Sequence, residues 1–279
     1  MNNGNNIILA YIPPDSSEEK IIVSAPGKNI GDLTTEIYLP GENDSILKLS
    51  NLKNIAGEKQ GFRRIELKTP VPISHVLPSV ILAGAIRLLS SVHSDSDDRI
   101  IIFSQGLIGL LFQWALIERG LKNMVIAVDT ETQQARAEGL NGGIILGVRE
   151  IGFIDRLKIE TKDEGFSKVV VASNQSESVK MALGCAGVFG EIYLLSSVIG
   201  SVNADLNSTI NYKSLVVKGH NFINHLYDLT EDDILVAVER ISDFPFLQEI
   251  PSVNWENWKE SISAEDGDRF IFVQNNVVS

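Results

Sequence analysis

Two neighbouring stretches decide the fold of this chain: Arg99-Ile-Ile-Ile-Phe-Ser-Gln-Gly-Leu-Ile-Gly-Leu-Leu-Phe-Gln-Trp-Ala-Leu-Ile-Glu-Arg-Gly120 and, shortly after it, Met124-Val-Ile-Ala-Val-Asp129. The apolar run 100–103 predicts a buried strand, and the glycines after it predict a tight turn. The apolar segment 107–119 predicts a helix, and 124–128 predicts a second strand that ends in an acidic residue. This order of elements is typical of dinucleotide-binding units, so the stretch indicates nicotinamide chemistry.

Strands and helices continue to alternate beyond this stretch. The strand runs are continuously apolar rather than alternating, as expected for a parallel sheet whose two faces are both covered by helices. We therefore predict an α/β fold with a Rossmann-like, doubly wound parallel sheet. The further predicted elements are a helix over about 132–138, strands at 143–146 and 168–172, a helix over about 176–186 and a strand at 190–195.

The flanking regions differ from this central part. Short strands separated by turn-forming residues precede it, and a helical pattern over 79–92 leads into it. We predict a reduced β-rich domain of catalytic type at 1–75, a Rossmann dinucleotide-binding domain at 76–220 and a C-terminal segment, 221–279, that returns to the first domain. The flanking elements predicted are strands at 7–11, 20–24, 35–39, 211–219 and 268–273, and a helix over 231–241 with Thr230 as its N-cap.

Composition and charge exclude several classes of protein. A net charge of −12 argues against nucleic acid or an anionic membrane surface as the main partner. Cys185 is the only cysteine in the sequence, so neither an intrachain disulfide nor a cysteine-based zinc site can form. The apolar stretch 76–89 is shorter than a membrane span, and no secretory leader is visible. We therefore expect a cytoplasmic protein that acts on a small molecule.

The turn after the first central strand departs from the usual pattern of three glycines at one position. Ser104 occupies the first position, Gly106 the second and Gly109 the third. The helix that follows would direct its free amide groups and the positive end of its dipole at a pyrophosphate. The residues of this turn that we expect to contact the cofactor are Ser104, Gln105, Gly106, Leu107, Ile108 and Gly109.

Asp129 ends the second strand, where a carboxylate can accept hydrogen bonds from the adenosine ribose hydroxyls. A 2′-phosphate would face a like charge there, so we expect NAD(H) rather than NADP(H), although Thr130 and Arg136 leave NADP(H) open. A buried strand, turn and helix without a ligand is the alternative interpretation of a lone Gly-x-x-Gly. The second strand and its acidic residue favour nucleotide binding.

The ordered segments resemble the medium-chain dehydrogenase/reductase superfamily, which includes zinc alcohol dehydrogenases and quinone reductases. The resemblance covers about residues 76–279 and implies that 1–75 is a remnant of the family's GroES-like catalytic domain. It also implies a homodimer formed through the sixth strand, at about 211–219. The segments that carry the resemblance are 76–87, 98–111, 137–142, 168–174, 179–183, 187–196 and 212–219.

Zinc-dependent members of this superfamily hold their metal with cysteine and histidine. No cysteine precedes Cys185 here, and His75 is the only histidine before residue 90. We therefore expect no zinc. The resemblance implies that Asn174 and Ser196, at the ends of the fourth and fifth strands, approach the nicotinamide half of the cofactor. His220, after the sixth strand, is the candidate catalytic proton donor or acceptor.

Two hypotheses from different classes follow. The first is a zinc-independent NAD(P)-dependent oxidoreductase that transfers a hydride to or from a carbonyl, enone or imine of a small organic substrate, in specialised biosynthesis. The alternative is a non-catalytic nucleotide-binding relative that acts as a regulatory or assembly subunit. A third, weaker interpretation is a site for another adenine ligand held by Asp129.

Overall fold

The computed structural model describes residues 6–12, 21–26, 31–40, 62–92, 98–104, 106–121, 123–172, 176–195, 206–219, 228–247, 252–254 and 269–274. The chain forms two compact units. The first combines residues 1–87 with 223–279, and the second comprises residues 88–222.

The second unit is built on a parallel sheet of six strands in the order β10-β9-β8-β5-β6-β7. Counted along the unit from β5, this is the strand order 3-2-1-4-5-6 of the doubly wound dinucleotide-binding fold. The predicted fold class is confirmed. The strands are β5 (Ile100–Ser104), β6 (Met124–Val128), β7 (Ile144–Gly147), β8 (Phe166–Ala172), β9 (Ala186–Leu194) and β10 (Val216–Gly219).

Helices cover this sheet, and the central strands β5 and β6 are buried along their whole length. One face carries a core in which Ile101, Phe103, Val169 and Ile192 pack with residues of the covering helices. The central strands are continuously apolar because both of their faces meet other side chains. The helices of this unit are α2 (Gly106–Glu118), α3 (Glu131–Gly139), α4 (Phe153–Thr161), α5 (Ser176–Cys185) and α6 (Leu206–Lys213).

The first unit contains a sheet in the order β11-β12-β1-β2-β3-β4. Its strands pair antiparallel except β11 and β12, and the pairing of β12 with β1 joins the end of the chain to its beginning. The strands are β1 (Asn6–Ile12), β2 (Ile21–Pro26), β3 (Leu33–Pro40), β4 (Phe62–Pro72), β11 (Ser252–Asn254) and β12 (Arg269–Gln274).

Two further helices flank the second unit in sequence. Helix α7 (Glu231–Ile241) begins as predicted, because the Thr230 hydroxyl accepts from the Asp233 amide and the Asp233 carboxylate accepts from the Thr230 amide. Helix α1 (Ile73–Ser91) begins earlier than the predicted residue 79 and includes Pro78. Its stretch Ile73–Ser90 is long and apolar enough to cross a membrane by length and composition, and 72% of that stretch is buried inside the fold.

Two elements differ from the sequence-based prediction. Helix α4 was not expected, since Phe153, Leu157 and Thr161 are its buried residues while the apolar Ile154 and Ile159 are exposed, which blurs the helical spacing. The predicted strand 211–219 is wrong in its first half, because residues 206–213 form α6 and only 216–219 form β10. The Lys213 ammonium fixes the end of α6 by donating to three carbonyl oxygens at the α5–β9 junction, those of Leu183, Gly184 and Ala186.

Candidate functional site

The turn between β5 and α2 brings the helix unusually close to the strand. Gly106 begins α2 with φ +75°, a left-handed conformation that glycine adopts without steric cost. A Cβ atom on Gly109 would lie 2.2 Å from the Ser104 Oγ and 3.0 Å from the Ser104 Cα. Gly109 therefore has the packing role of the third glycine in a dinucleotide turn, and the side chain of Ser104 fills the space beside it.

This turn lies at the point where the strand order of the sheet reverses. β5 pairs with β6 on one side and with β8 on the other, and Ser104 at its end lies beside Ala172. In open α/β sheets the crevice outside the carboxyl ends of the strands at this point is where ligands bind. Leu107 is buried and Ile108 is half-buried, so these two residues can offer a ligand mainly their backbone amides.

Asp129 lies directly after β6, as predicted, but its carboxylate is already paired. The Arg149 guanidinium donates from Nε to Oδ1 of Asp129 at 2.7 Å and from Nη2 to Oδ2 at 3.1 Å. The Asp129 side chain is 13% exposed, whereas the Arg149 side chain is 78% exposed. A bidentate ion pair therefore stands at the predicted ribose position, with the cation on the outside.

The start of α3 fixes the backbone at Asp129. The Gln133 side chain accepts a hydrogen bond from the Asp129 amide at 3.0 Å, and the Thr130 hydroxyl accepts one from the Gln133 amide at 3.2 Å. Thr130 is the N-cap of α3, so its hydroxyl stabilises the helix start in addition to any contact with a ligand. Arg136, the other basic residue considered near this acid, lies in the last turn of the same helix.

Arg149 is the site residue that the sequence analysis missed. It follows β7 in a turn where the Val148 amide donates to the Val128 carbonyl at 2.8 Å and so continues the pairing of β6 with β7. In the parallel register Val128 lies beside Gly147, which brings the residues after both strands together. The signal in the sequence was a basic residue just after β7, the strand that pairs with the one preceding Asp129. Using that signal requires knowing which strands pair.

Four predicted site residues lie outside the described residues: Gln105, Asn174, Ser196 and His220. Their expected roles stay predictions. Among the site residues that the structure describes, Ser104, Gly106, Leu107, Ile108 and Gly109 share one strand-turn-helix, while Asp129 and Thr130 follow the neighbouring strand.

A second polar cluster lies on the same sheet. Glu191 and Tyr193, two residues apart on β9, face the same side, with Lys168 of β8 and Lys218 of β10 beside them. The Tyr193 hydroxyl donates to Glu191 Oε2, which also receives the Lys218 ammonium at 2.9 Å and lies 3.4 Å from that of Lys168. Hydrogen bonds from Tyr193 and then Lys218 lower the pKa of Glu191 to about 2. Burial, with the bond to Glu191, raises the pKa of Tyr193 to about 12.

The chain does not fit the cysteine-ligated zinc site of the resembled superfamily. Cys185, the only cysteine in the sequence, ends α5 against the core of the second unit. Burial raises the pKa of its thiol to about 12, which disfavours the thiolate that zinc requires. Within the described residues, no group of three His, Cys, Asp or Glu side chains is placed to hold a metal ion.

Solved structures share this fold, whereas no protein-family model and no curated protein matches the sequence. An alcohol dehydrogenase zinc-binding domain protein from Burkholderia ambifaria aligns with 76% of this chain at 14% identity and a TM-score of 0.62. Benzyl alcohol dehydrogenase from Acinetobacter calcoaceticus aligns with 76% of it at 16% identity and a TM-score of 0.59. An alcohol dehydrogenase from Thermus sp. ATN1 aligns with 98% of it at 17% identity and a TM-score of 0.63, over 95% of its own length.

The alignments cover only 61% of the Burkholderia protein and 62% of the Acinetobacter enzyme. At these identities the likeness establishes the fold. The chain shares the fold of these alcohol dehydrogenases, so the resemblance inferred from the sequence is confirmed at the level of the fold.

Proposed function

We propose that the protein is a zinc-independent, nicotinamide-dependent oxidoreductase that transfers a hydride to or from a carbonyl, enone or imine of a small organic substrate. The observation that carries this proposal is the close approach of Gly109 to Ser104, next to the left-handed Gly106, at the reversal point of the sheet. In a dinucleotide turn these two glycines let the backbone approach the pyrophosphate and let the helix pack closely on the strand, and both features are present here.

The residues fit a nicotinamide dinucleotide at this end of the sheet. The amides at the start of α2 would bind the pyrophosphate, with Gly106 and Gly109 letting the backbone come near. Asp129 and its partner Arg149 would bind the adenosine ribose. The cofactor, when bound, supplies or accepts the hydride, so the protein has to orient the ring and handle a proton. Asn174 and Ser196 are proposed to orient the nicotinamide half, and His220 to hold or move that proton.

Zinc independence is part of the proposal because the only cysteine of the sequence is unsuited to ligate the metal. A metal-free site must polarise the substrate with hydrogen-bond donors instead. Replacement of the single cysteine, by Cys185→Ser, is therefore expected to leave activity unchanged and to release no bound zinc.

A homodimer is proposed through β10, which is an edge strand of its sheet. Val216 and Val217 on this strand are 47% and 39% exposed, so pairing with a second copy would bury both. A small organic substrate, a cytoplasmic location and a role in specialised biosynthesis complete the proposal. The net charge of −12 supports only the first of these, since it argues against nucleic acid or an anionic membrane surface as the main partner.

Titration with NADH and NADPH, followed by the fluorescence of the reduced nicotinamide, tests the binding step. We expect saturable binding below about 1 mM, the range of ordinary enzyme–cofactor affinity. Turnover is then measured with panels of aldehydes, ketones, enones and imines after treatment with a chelator, which should not reduce the rate.

The outcomes separate the candidate functions. Chelator-resistant turnover supports the oxidoreductase. Binding without turnover across the panels would support the non-catalytic nucleotide-binding relative, which is favoured by Ser104 standing in the first glycine position. Failure to bind either dinucleotide would overturn both.

A further inference from the structure

The ion pair between Arg149 and Asp129 bears on which form of the dinucleotide the site takes. We infer that Arg149 selects a dinucleotide phosphorylated at the adenosine 2′ position, NADP(H), by binding that phosphate. The inference rests on the proposed function, since it concerns the adenosine end of the same site. It reverses the preference for NAD(H) that an uncompensated Asp129 carboxylate would give.

Arg149 retains hydrogen-bonding capacity after it pairs with Asp129. A guanidinium carries five N–H donors, and Asp129 uses one on Nε and one on Nη2. Within the described part of the chain, no other acceptor is bonded to this guanidinium. The Arg149 side chain is 78% exposed, so its remaining donors face water at the ribose position. Planar guanidinium groups bind phosphate oxygens in pairs, which makes these donors suited to a 2′-phosphate.

The local charges around the pair allow a dianion to approach. Arg149 compensates the Asp129 charge, and the neighbouring Glu150 is held by the Gly147 amide at 3.0 Å and by the Arg156 guanidinium at 3.0 Å. Glu131, in the first turn of α3, is exposed and therefore screened by solvent and salt. The positive charge of Arg149 therefore offsets the repulsion that Asp129 alone would exert on a 2′-phosphate.

An unphosphorylated ribose gains less from the same arrangement. Its hydroxyls must share the Asp129 carboxylate with Arg149, which already occupies two of about four acceptor positions on the oxygens. NAD(H) can use the positions that remain, but it offers the three outward N–H groups no anion. We therefore expect the site to bind both NAD(H) and NADP(H) and to prefer NADP(H).

The backbone around Arg149 is fixed before any ligand arrives. The Val148 amide is bonded to Val128, the Glu150 amide donates to the Gly147 carbonyl at 3.0 Å, and the Glu150 carboxylate closes the turn. With its guanidinium already placed on Asp129, Arg149 has little further order to gain, so less free energy is lost on binding phosphate.

Calorimetry with adenosine 2′,5′-bisphosphate and with 5′-AMP isolates the contribution of the 2′-phosphate, because the two probes differ only in that group. Neither probe contains nicotinamide, so the other half of the cofactor site does not contribute. The wild-type protein is expected to bind the bisphosphate about 10-fold more tightly than 5′-AMP, as one charge-assisted contact would give. Arg149→Gln should erase this ratio and Arg149→Lys, which keeps the charge but loses the fork, should leave part of it. Asp129→Asn should strengthen bisphosphate binding, since it removes the carboxylate and frees two more donors.

Arg240→Gln is the matched control, because Arg240 is an exposed arginine of α7 in the other unit and its replacement changes the net charge equally. It should leave the ratio at the wild-type value. Thermal unfolding of each variant checks that it is folded. Fluorescence titrations of the same proteins with NADPH and NADH should rank the variants in the same order of preference for the 2′-phosphate.

Two results would overturn the inference alone: a wild-type protein that binds both dinucleotides but prefers NADH, or an Arg149→Gln variant that weakens both probes equally. In either case binding at the turn, and with it the proposed function, would stand. A wild-type protein that binds neither dinucleotide would overturn the proposed function and this inference together.

Discussion

Two carboxylates on the sheet of the second unit are held in opposite ways. Glu191 lies within β9 and is bound by a tyrosine and two lysines of the same and neighbouring strands. Asp129 lies beyond the end of β6 and is bound by one exposed arginine from a turn. The first arrangement joins side chains of three adjacent strands, whereas the second ends in an arginine that is 78% exposed and presents donors to solvent. The comparison separates a structural cluster from a site that can exchange partners with a ligand.

Gly109→Ala is expected to have the largest effect, since it acts on the turn beside the exchangeable site. Its Cβ would lie 2.2 Å from the Ser104 Oγ and 2.8 Å from the Ser104 Cβ, so the helix must move away from the strand. We expect a loss of about 1–3 kcal/mol in the free energy of unfolding from overpacking, measured by denaturant titration, together with loss of dinucleotide binding.

Gly184→Ala is the control, because a Cβ there would meet nothing within 4 Å and alanine favours a helix. The double variant Ser104→Gly with Gly109→Ala removes the two closest atoms and should recover part of the binding. No recovery, with an unaltered fold, would mean that close packing is not what the turn requires.

Glu191→Gln is expected to lower the free energy of unfolding by about 1–2 kcal/mol at neutral pH, because two lysines lose a charged partner in a cluster that solvent partly screens. The pKa of Glu191 is lowered from 4.5 to about 2 in the folded protein. Its stabilising contribution is therefore fully present above pH 4.5 and is lost as the pH falls towards 2. The difference in unfolding free energy between wild type and variant should shrink over that window, and a constant difference would contradict the assignment.

Asp129→Asn should change dinucleotide binding more than it changes the free energy of unfolding. An ion pair with so exposed an arginine contributes at most about 1 kcal/mol to stability, so the unfolding midpoint should move little. NADH binding should weaken, because the amide replaces one acceptor oxygen for the ribose hydroxyls. A large drop in stability would place Asp129 with Glu191 as a structural residue.

The thiol of Cys185 should react slowly with alkylating reagents in the native protein. Burial raises the pKa of its thiol to about 12, so the thiolate is scarce at neutral pH. Labelling with an alkylating reagent at pH 8 is expected to be slow in the native protein and to become fast on unfolding. Rapid native labelling would contradict the packing of α5 against the core.

The sequence predicted the second unit well because its central strands β5 and β6 are buried along their whole length and are uninterrupted apolar runs. Helix α4 was missed because its three buried residues share a short segment with the exposed Ile154 and Ile159, so its apolar residues do not follow one helical face. The first half of 211–219 was read as strand, although Lys213 and its three carbonyl acceptors hold it as the end of a helix. Local patterns carry no information about such contacts.

The candidate site also contains residues that the sequence predicted and one residue, Arg149, that it did not. The glycines and the acid after β6 lie within one continuous unit, so sequence spacing located them. Arg149 follows a different strand, and its contact with Asp129 depends on the register that sets Val128 beside Gly147. Nothing local predicts that register, which is why the sequence favoured NAD(H) on an acid that the fold compensates.

The position of the pyrophosphate in a crystal grown with NADP⁺ tests the central claim most directly. We predict that the pyrophosphate lies within hydrogen-bonding distance of the backbone amides of residues 106–109, with the adenosine ribose beside Asp129 and Arg149. A dinucleotide bound elsewhere on the protein, or a turn left without one at a concentration that saturates binding in solution, would contradict it.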